Sequence, residues 1–93
     1  MQHLKKTLEL SEQQIQKKII TQLEKDGYLV IKLIKCNVNG YPDLLAVKSN
    51  DTLFIEVKKP NGKLSELQKV RIADMKKRGI NVVVWTAYKE NFK

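Results

Sequence analysis

The sequence predicts an α/β fold in which a mixed sheet is flanked by helices, with the element order α-β-β-β-α-β. Two stretches with helical apolar spacing, each opened by a capping box, enclose three short stretches rich in β-forming residues. A fourth, strongly apolar strand follows the second helix. Because 93 residues leave room for one hydrophobic core, we expect a single domain with a small margin of stability.

The first helix is predicted over residues 11–26. Ser11 can cap its first turn, Gln14 completes a Ser-x-x-Gln capping box, and Gly27 follows its last turn. Its apolar side chains recur every four residues, as expected for one buried face, and they are Ile15, Ile19 and Leu23.

The second helix is predicted over about residues 66–78. Ser65 and Gln68 form another capping box, and Gly79 ends the helix. The strand predicted over residues 81–86 (NVVVWT) is apolar on both faces, so we expect it inside the sheet.

Three strands are predicted between the two helices. The first covers residues 28–35 (YLVIKLIK), and residues 37–42 after it have the composition of a turn. The second strand covers residues 43–47, a turn follows over 48–51, and the third strand covers residues 52–58.

The hairpin between the second and third strands is predicted to hold two facing carboxylates. If its turn has two residues (49–50) or four, Asp43 falls directly opposite Glu56. Two carboxylates that face each other across a ladder repel, and a divalent cation between them would convert that cost into binding energy. A three-residue turn would instead place Asp43 on the wrong face.

Alternation along the third strand divides its side chains between two faces. Leu53, Ile55 and Val57 share one face, and Phe54, Glu56 and Lys58 share the other. Glu56 lies within an apolar run, where an unpaired charge is unfavourable. The structural alternatives are that Glu56-Val-Lys58 is a solvated strand edge and that Gly40-Tyr-Pro-Asp43 is only a turn.

Each helix also directs one polar side chain toward the predicted core. Glu12 lies three residues before Ile15, so we expect it along the buried stripe, and Gln68 lies four residues before Ile72, again on the inward side. The helix macrodipole and the capping box offer structural explanations for these two residues. Polar groups aimed inward from several elements nevertheless predict a functional site.

The chain is strongly basic, with 18 Lys and Arg against 10 Asp and Glu and a net charge of +8 at pH 7. Such an excess on a small protein favours a polyanionic partner such as nucleic acid, with charge for solubility as the alternative. Seven lysines are candidates for phosphate contacts, and a solvated face explains them equally well: Lys17, Lys18, Lys32, Lys35, Lys59, Lys63 and Lys69.

Cysteine and histidine usage narrows the chemistry. Cys36 is the only cysteine, so an internal disulfide and a Cys-rich zinc site are excluded, and we expect it to be a small buried residue. The only histidine, His3, lies in the terminal lead-in, which argues against a histidine base or His-ligated zinc. The sequence shows no signal peptide and no apolar run of about 18 residues, so we expect a soluble cytoplasmic protein.

At these residues the chain resembles the VRR-NUC (virus-type replication-repair nuclease) family of the PD-(D/E)XK nuclease superfamily. The resemblance implies a restriction-endonuclease-like core over about residues 11–86, with 1–10 as a lead-in and 87–93 as a tail of one domain spanning 1–93. The matching pieces, in chain order, are Ser11-Glu-Gln-Gln-Ile-Gln16, Gly40-Tyr-Pro-Asp43, Phe54-Ile-Glu-Val-Lys58, Pro60-Asn-Gly-Lys-Leu-Ser65 and Gln68.

The resemblance implies a phosphodiester hydrolase that uses Mg²⁺ or Mn²⁺. Lys58 would orient or deprotonate the attacking water, or stabilise charge on the phosphate, and Gln68 would hold water or the phosphodiester. Because nearby acids disfavour a neutral amine, we prefer Lys58 as an electrostatic stabiliser. Asp43, Glu56 and the main-chain carbonyl of Val57 would bind the metal, and Glu12 would complete its shell directly or through water.

Stand-alone members of this family look like small viral or phage proteins that form dimers resembling Holliday-junction resolvases. The resemblance therefore implies a homodimer that cuts branched DNA, and dimerisation suits a chain with a small core. Two alternatives stay open: a nuclease for flaps, ends or duplex sites, and a nucleic-acid-binding module of the same fold that does not cut. The presence of every motif residue favours cutting.

Overall fold

The computed structural model describes residues 10–86, and it has the predicted order of elements. His3, most of the predicted lead-in and the predicted tail lie outside the described residues. The helices are α1 (Glu12–Lys25) and α2 (Glu66–Lys77), and the strands are β1 (Leu29–Lys32), β2 (Leu44–Lys48), β3 (Asp51–Val57) and β4 (Val82–Trp85).

Both helices begin at the predicted capping boxes. The Ser11 hydroxyl accepts from the Gln14 N–H and the Gln14 side chain accepts from the Ser11 N–H, which satisfies two otherwise unpaired donors of α1. Ser65 and Gln68 form the same reciprocal pair at the start of α2. Neither described helix is long and apolar enough to cross a membrane.

The four strands form one mixed sheet in the order β1-β2-β3-β4. The first three strands pair antiparallel, and β3 pairs parallel with β4 across the connection through α2. The predicted mixed sheet is therefore confirmed. The hairpin between β2 and β3 turns over the two residues Ser49 and Asn50, with Val47 paired to Thr52, so the register that the site requires is also confirmed.

The prediction that residues 81–86 lie inside the sheet is wrong. Within the described part of the chain, β4 pairs only with β3 and lies at the edge. Its two apolar faces have another cause, because Val82 packs in the cluster beneath α2 while Val83 and Trp85 pack on the opposite face. A strand whose two faces are both covered is apolar throughout, whether it lies at the edge of the sheet or between two other strands.

Strand β1 is shorter than predicted and ends at Lys32. The Leu33 N–H still donates to the Asp43 carbonyl. Because β2 begins only at Leu44, the residues that follow Leu33 have no residue of β2 opposite them. Ile34 is 88% exposed, as expected for a chain that has left the sheet.

Two apolar clusters pack on opposite faces of the sheet. On the α1 face the buried side chains are Ile15, Ile19, Leu23, Leu44, Ala46, Ile55 and Val57. On the α2 face Ile72, Met75 and Val82 pack with the partly buried Phe54. Alternation along β3 is thus as predicted, and Glu56 shares the α2 face with Phe54.

Candidate active site

Asp43 and Glu56 meet where β2 begins and β3 ends. Asp43 immediately precedes β2, and its Oδ2 accepts a hydrogen bond of 2.8 Å from the Val57 N–H. Glu56 is the residue before Val57, and its charge interacts with that of Asp43. The two-residue hairpin turn therefore brings two acids together that lie 13 positions apart in the sequence.

Glu56 is a buried carboxylate, only 2% exposed, and its pKa is raised from 4.5 to about 7. Burial is the largest cause, and the charges of Asp43 and Glu12 add to it, while Lys58 acts in the opposite direction. Its Oε1 atom is buried and has no hydrogen-bond partner among the described residues. A buried carboxylate oxygen left in this way is costly, so this position is suited to a group that brings positive charge.

Gln68 forms the predicted capping box and also contacts Glu56. Its side-chain oxygen accepts from the Ser65 N–H at 2.9 Å in the capping box, and its Nε2 donates to Glu56 Oε2 at 3.1 Å. Lys58 Nζ lies 3.8 Å from the same Glu56 oxygen, and its side chain is 18% exposed. The Gln68 amide and the Lys58 ammonium therefore both lie at Glu56 Oε2. The other oxygen, Oε1, is the one without a partner among the described residues.

The prediction that Glu12 lies along the buried stripe is wrong, because its side chain is exposed. It is the first residue of α1 and precedes Ile15, the first buried residue of the helix, so the packed part of the stripe begins one turn later. Its charge is still felt by Glu56 and helps to raise the pKa of that carboxyl. Glu12 thus lies on the solvent side of Asp43 and Glu56, which we call the acidic pair.

The loop before Asp43 is fastened to α2 by contacts that the sequence did not reveal. Arg71 Nε donates to the Asn39 carbonyl at 2.9 Å, and its guanidinium carbon lies 5.5 Å from the centre of the Tyr41 ring. Gly40 has φ +95°, and a Cβ atom there would lie 2.8 Å from Cγ of Leu67. The glycine in Gly40-Tyr-Pro-Asp43 was a visible signal for this close approach, whereas nothing singled out Arg71.

The donors at this site fit a hard divalent cation. Among residues 10–86, no group of three or more His, Cys, Asp and Glu side chains could hold a metal. A cation here would therefore rely on the carboxylates of Asp43 and Glu56, completed by a main-chain oxygen such as that of Val57 and by water. All of these are oxygen donors, and several retained waters are typical of Mg²⁺ and Mn²⁺ sites.

The seven candidate lysines are all exposed. Lys69 forms an ion pair of 3.2 Å with Glu66, where both side chains are well exposed. Cys36, expected to be buried, is only partly so. The structure thus places all seven candidate lysines on the surface, where they can reach a polyanion.

Comparison with known proteins agrees with this architecture. The model of the VRR-NUC domain family matches residues 2–88, and the curated proteins give no match. A solved structure of a VRR-NUC domain is similar with a TM-score of 0.77 and 34% sequence identity, covering 85% of this chain and 87% of that chain. The chain therefore belongs to the VRR-NUC family and has the fold of a PD-(D/E)XK-type nuclease.

Proposed function

We propose that this protein is a metal-dependent endodeoxyribonuclease whose active site is the acidic pair of Asp43 and Glu56. The observation that carries the proposal is the buried Glu56 carboxylate, with one oxygen unpartnered among the described residues and a second acid beside it. When both acids are ionised, such a pair opposes folding unless a cation lies beside it, so packing alone does not explain the two acids.

The metal in this proposal is held by Asp43, Glu56 and the main-chain carbonyl of Val57, with Glu12 acting directly or through water. A divalent ion there would lower the pKa of the attacking water, polarise the phosphate and hold the two in a fixed relative geometry. The exposed position of Glu12 favours its acting through water, because water reaches its carboxylate.

Lys58 acts on the reacting phosphodiester, and Gln68 positions the Glu56 carboxylate that binds the metal. The Lys58 ammonium, close to Glu56, brings positive charge to the place where a phosphodiester would gain negative charge. Gln68 holds Glu56 Oε2 through its amide, which fixes the direction of the remaining oxygen. Its place in the capping box anchors this amide to α2.

The substrate that we propose is branched DNA, cut by a homodimer of single domains that span residues 1–93 with a core over 11–86. A net charge of +8 supports a polyanionic substrate. A two-fold dimer would present equivalent sites to two strands of a junction, and the interface would add buried apolar area to a small core.

The experiment is cleavage of a labelled four-way junction, beside flap and linear duplex controls, with Mg²⁺, Mn²⁺ or EDTA. We expect paired, metal-dependent cuts in the junction by the native protein and none by Glu56→Gln. The matched control is Glu66→Gln, which removes the same charge from an exposed site on α2 and should cut normally. Cutting of flaps alone would exclude the junction role, and normal cutting by Glu56→Gln would overturn the site.

A further inference from the structure

Arg71 lies on the side of α2 that faces the candidate active site. It follows Gln68 by three residues, so the two side chains project from the same helix face. Gln68 contacts Glu56, and Arg71 contacts the loop that leads directly into Asp43. A group bound by Arg71 would therefore sit beside the acidic pair.

The guanidinium of Arg71 is held in a fixed orientation. Its Nε donates to the Asn39 carbonyl, and its guanidinium carbon lies over the ring of Tyr41. Its Cγ also packs closely against the position of Gly40. These three contacts hold the side chain at its stem, its Nε and its carbon centre.

The two Nη groups of Arg71 have no partner among residues 10–86, and the side chain is partly exposed. Two other cations on or next to α2 have acidic partners, since Lys69 pairs with Glu66 and Arg78 pairs with Asp74 at 3.1 Å. A planar fork that is already oriented loses little entropy when it binds a phosphate with two parallel hydrogen bonds.

We propose that Arg71 binds a backbone phosphate of the DNA next to the scissile position, holding the strand against the repulsion of Asp43 and Glu56. This inference rests on the proposed nuclease function, and it assigns the residue that recognises the substrate rather than one that takes part in hydrolysis. The ligand is a phosphodiester of the DNA proposed as substrate, and the two free Nη groups of the fork match two of its phosphate oxygens.

The test measures DNA binding in EDTA, where no metal-dependent cutting takes place, using fluorescence anisotropy of a labelled four-way junction between 50 and 200 mM KCl. Arg71→Gln should weaken binding by about eightfold at 0.1 M salt and reduce the slope of log K against log salt by about 0.9, as loss of one phosphate contact predicts. Arg78→Gln makes the same charge change at the C-cap of α2 and should leave both values nearly unchanged.

A structural role for Arg71 predicts a different pattern. Under that role, Arg71→Gln would have lower thermal stability and cut more slowly, but its salt slope would equal that of Arg78→Gln. This result would overturn the inference. If Arg71→Gln does not fold, Arg71→Lys and Arg78→Lys replace the pair. Arg71→Lys should then bind at least threefold more weakly than Arg78→Lys, because lysine lacks the planar fork, and equal binding would overturn the inference.

These outcomes separate this inference from the function on which it rests. If the native protein binds and cuts DNA, and the Arg71 and Arg78 variants bind DNA equally well, only the role of Arg71 is overturned. A native protein that binds no DNA at any salt concentration overturns the proposed function and this inference together.

Discussion

At the scale of single residues, Glu56 combines burial with a position that repulsion disfavours. Its carboxyl lies in the sheet next to Asp43, and its raised pKa expresses the cost of holding a negative charge there. The folded protein therefore retains a proton on Glu56 over a pH range in which the unfolded chain has lost it.

This proton gives the metal-free protein a pH-dependent stability. Because the pKa rises from 4.5 to about 7 on folding, the stabilising contribution is complete below pH 4.5 and is lost as pH rises through about 7. In EDTA, urea unfolding should show a free energy of unfolding roughly 2–3 kcal/mol lower at pH 8 than at pH 5. Glu56→Gln should remove most of this difference, whereas a difference equal to that of the native protein would contradict the assignment.

Removal of Asp43 should separate binding from cutting. Asp43→Ala is expected to slow metal-dependent cleavage by at least about a hundredfold, the upper end of what loss of a group that only supports a metal ligand costs. DNA binding in EDTA should stay intact or improve, since the change removes a negative charge that repels phosphate. Single-turnover cleavage and anisotropy measure the two effects, and parallel loss of both would indicate misfolding instead.

The sequence predicted that Asp43 faces Glu56 if the hairpin turn has two or four residues, because strand alternation and turn length determine which side chains share a face. The structure supplied the turn length, which is two residues. The exposure of Glu12 was not predictable in the same way. Helical spacing gives the direction of a side chain but not where the facing sheet ends. The contact of Arg71 with Asn39 and Tyr41 depends on the path of an irregular loop, for which the sequence has no periodic signal.

At the scale of elements, α2 supports both sides of the site. Gln68 reaches Glu56 on β3, while Leu67 and Arg71 hold the loop that precedes β2. The helix thus links the two acids through contacts that are independent of the hairpin. Displacing this loop from α2 should move Asp43 without changing any active-site residue.

Gly40→Ala tests that link. The new Cβ would lie 2.8 Å from Cγ of Leu67 and 3.0 Å from Cγ of Arg71, at a backbone φ of +95°. We expect a loss of about 1–3 kcal/mol in the free energy of unfolding, together with slower cutting. Gly27→Ala is the matched control, since Gly27 has the same φ but no atom within 4 Å of the added Cβ.

Comparison of the two glycine variants isolates the effect of close packing. Gly27→Ala should lower stability through backbone strain alone and leave the cleavage rate per folded molecule unchanged. An equal cleavage rate for folded Gly40→Ala and folded Gly27→Ala would show that the contact with α2 does not position Asp43.

Helices were more predictable than the placement of strands. Capping boxes mark where a helix begins with local chemistry, and both are formed as expected. The edge position of β4 could not be deduced, because an apolar strand reports that its faces are covered and not how many strands flank it. The early end of β1 likewise depends on where its partner β2 begins.

At the scale of the whole molecule, a small core and a large positive charge shape the protein. The hydrophobic core has ten buried side chains in the described part of the chain, while several large apolar side chains stay exposed, among them Leu29 and Ile31 on the edge strand β1. Few buried contacts leave a small margin of stability, which association could increase.

The proposed dimer makes a prediction about mass and melting. Light scattering at micromolar concentration should give twice the 10.8 kDa of one chain, and the melting temperature should rise with protein concentration. A monomer mass with a concentration-independent melting temperature would exclude the homodimer while leaving the active-site assignment intact.

The central claim, that Asp43 and Glu56 form a divalent metal site, is tested most directly by titration of Mn²⁺ into the native protein at neutral pH. Isothermal titration calorimetry of native protein, Glu56→Gln and the exposed control Glu66→Gln would give the three affinities. The account predicts that Glu56→Gln binds Mn²⁺ at least tenfold more weakly than the native protein and that Glu66→Gln binds it equally well. Equal Mn²⁺ affinity for Glu56→Gln and the native protein would contradict it.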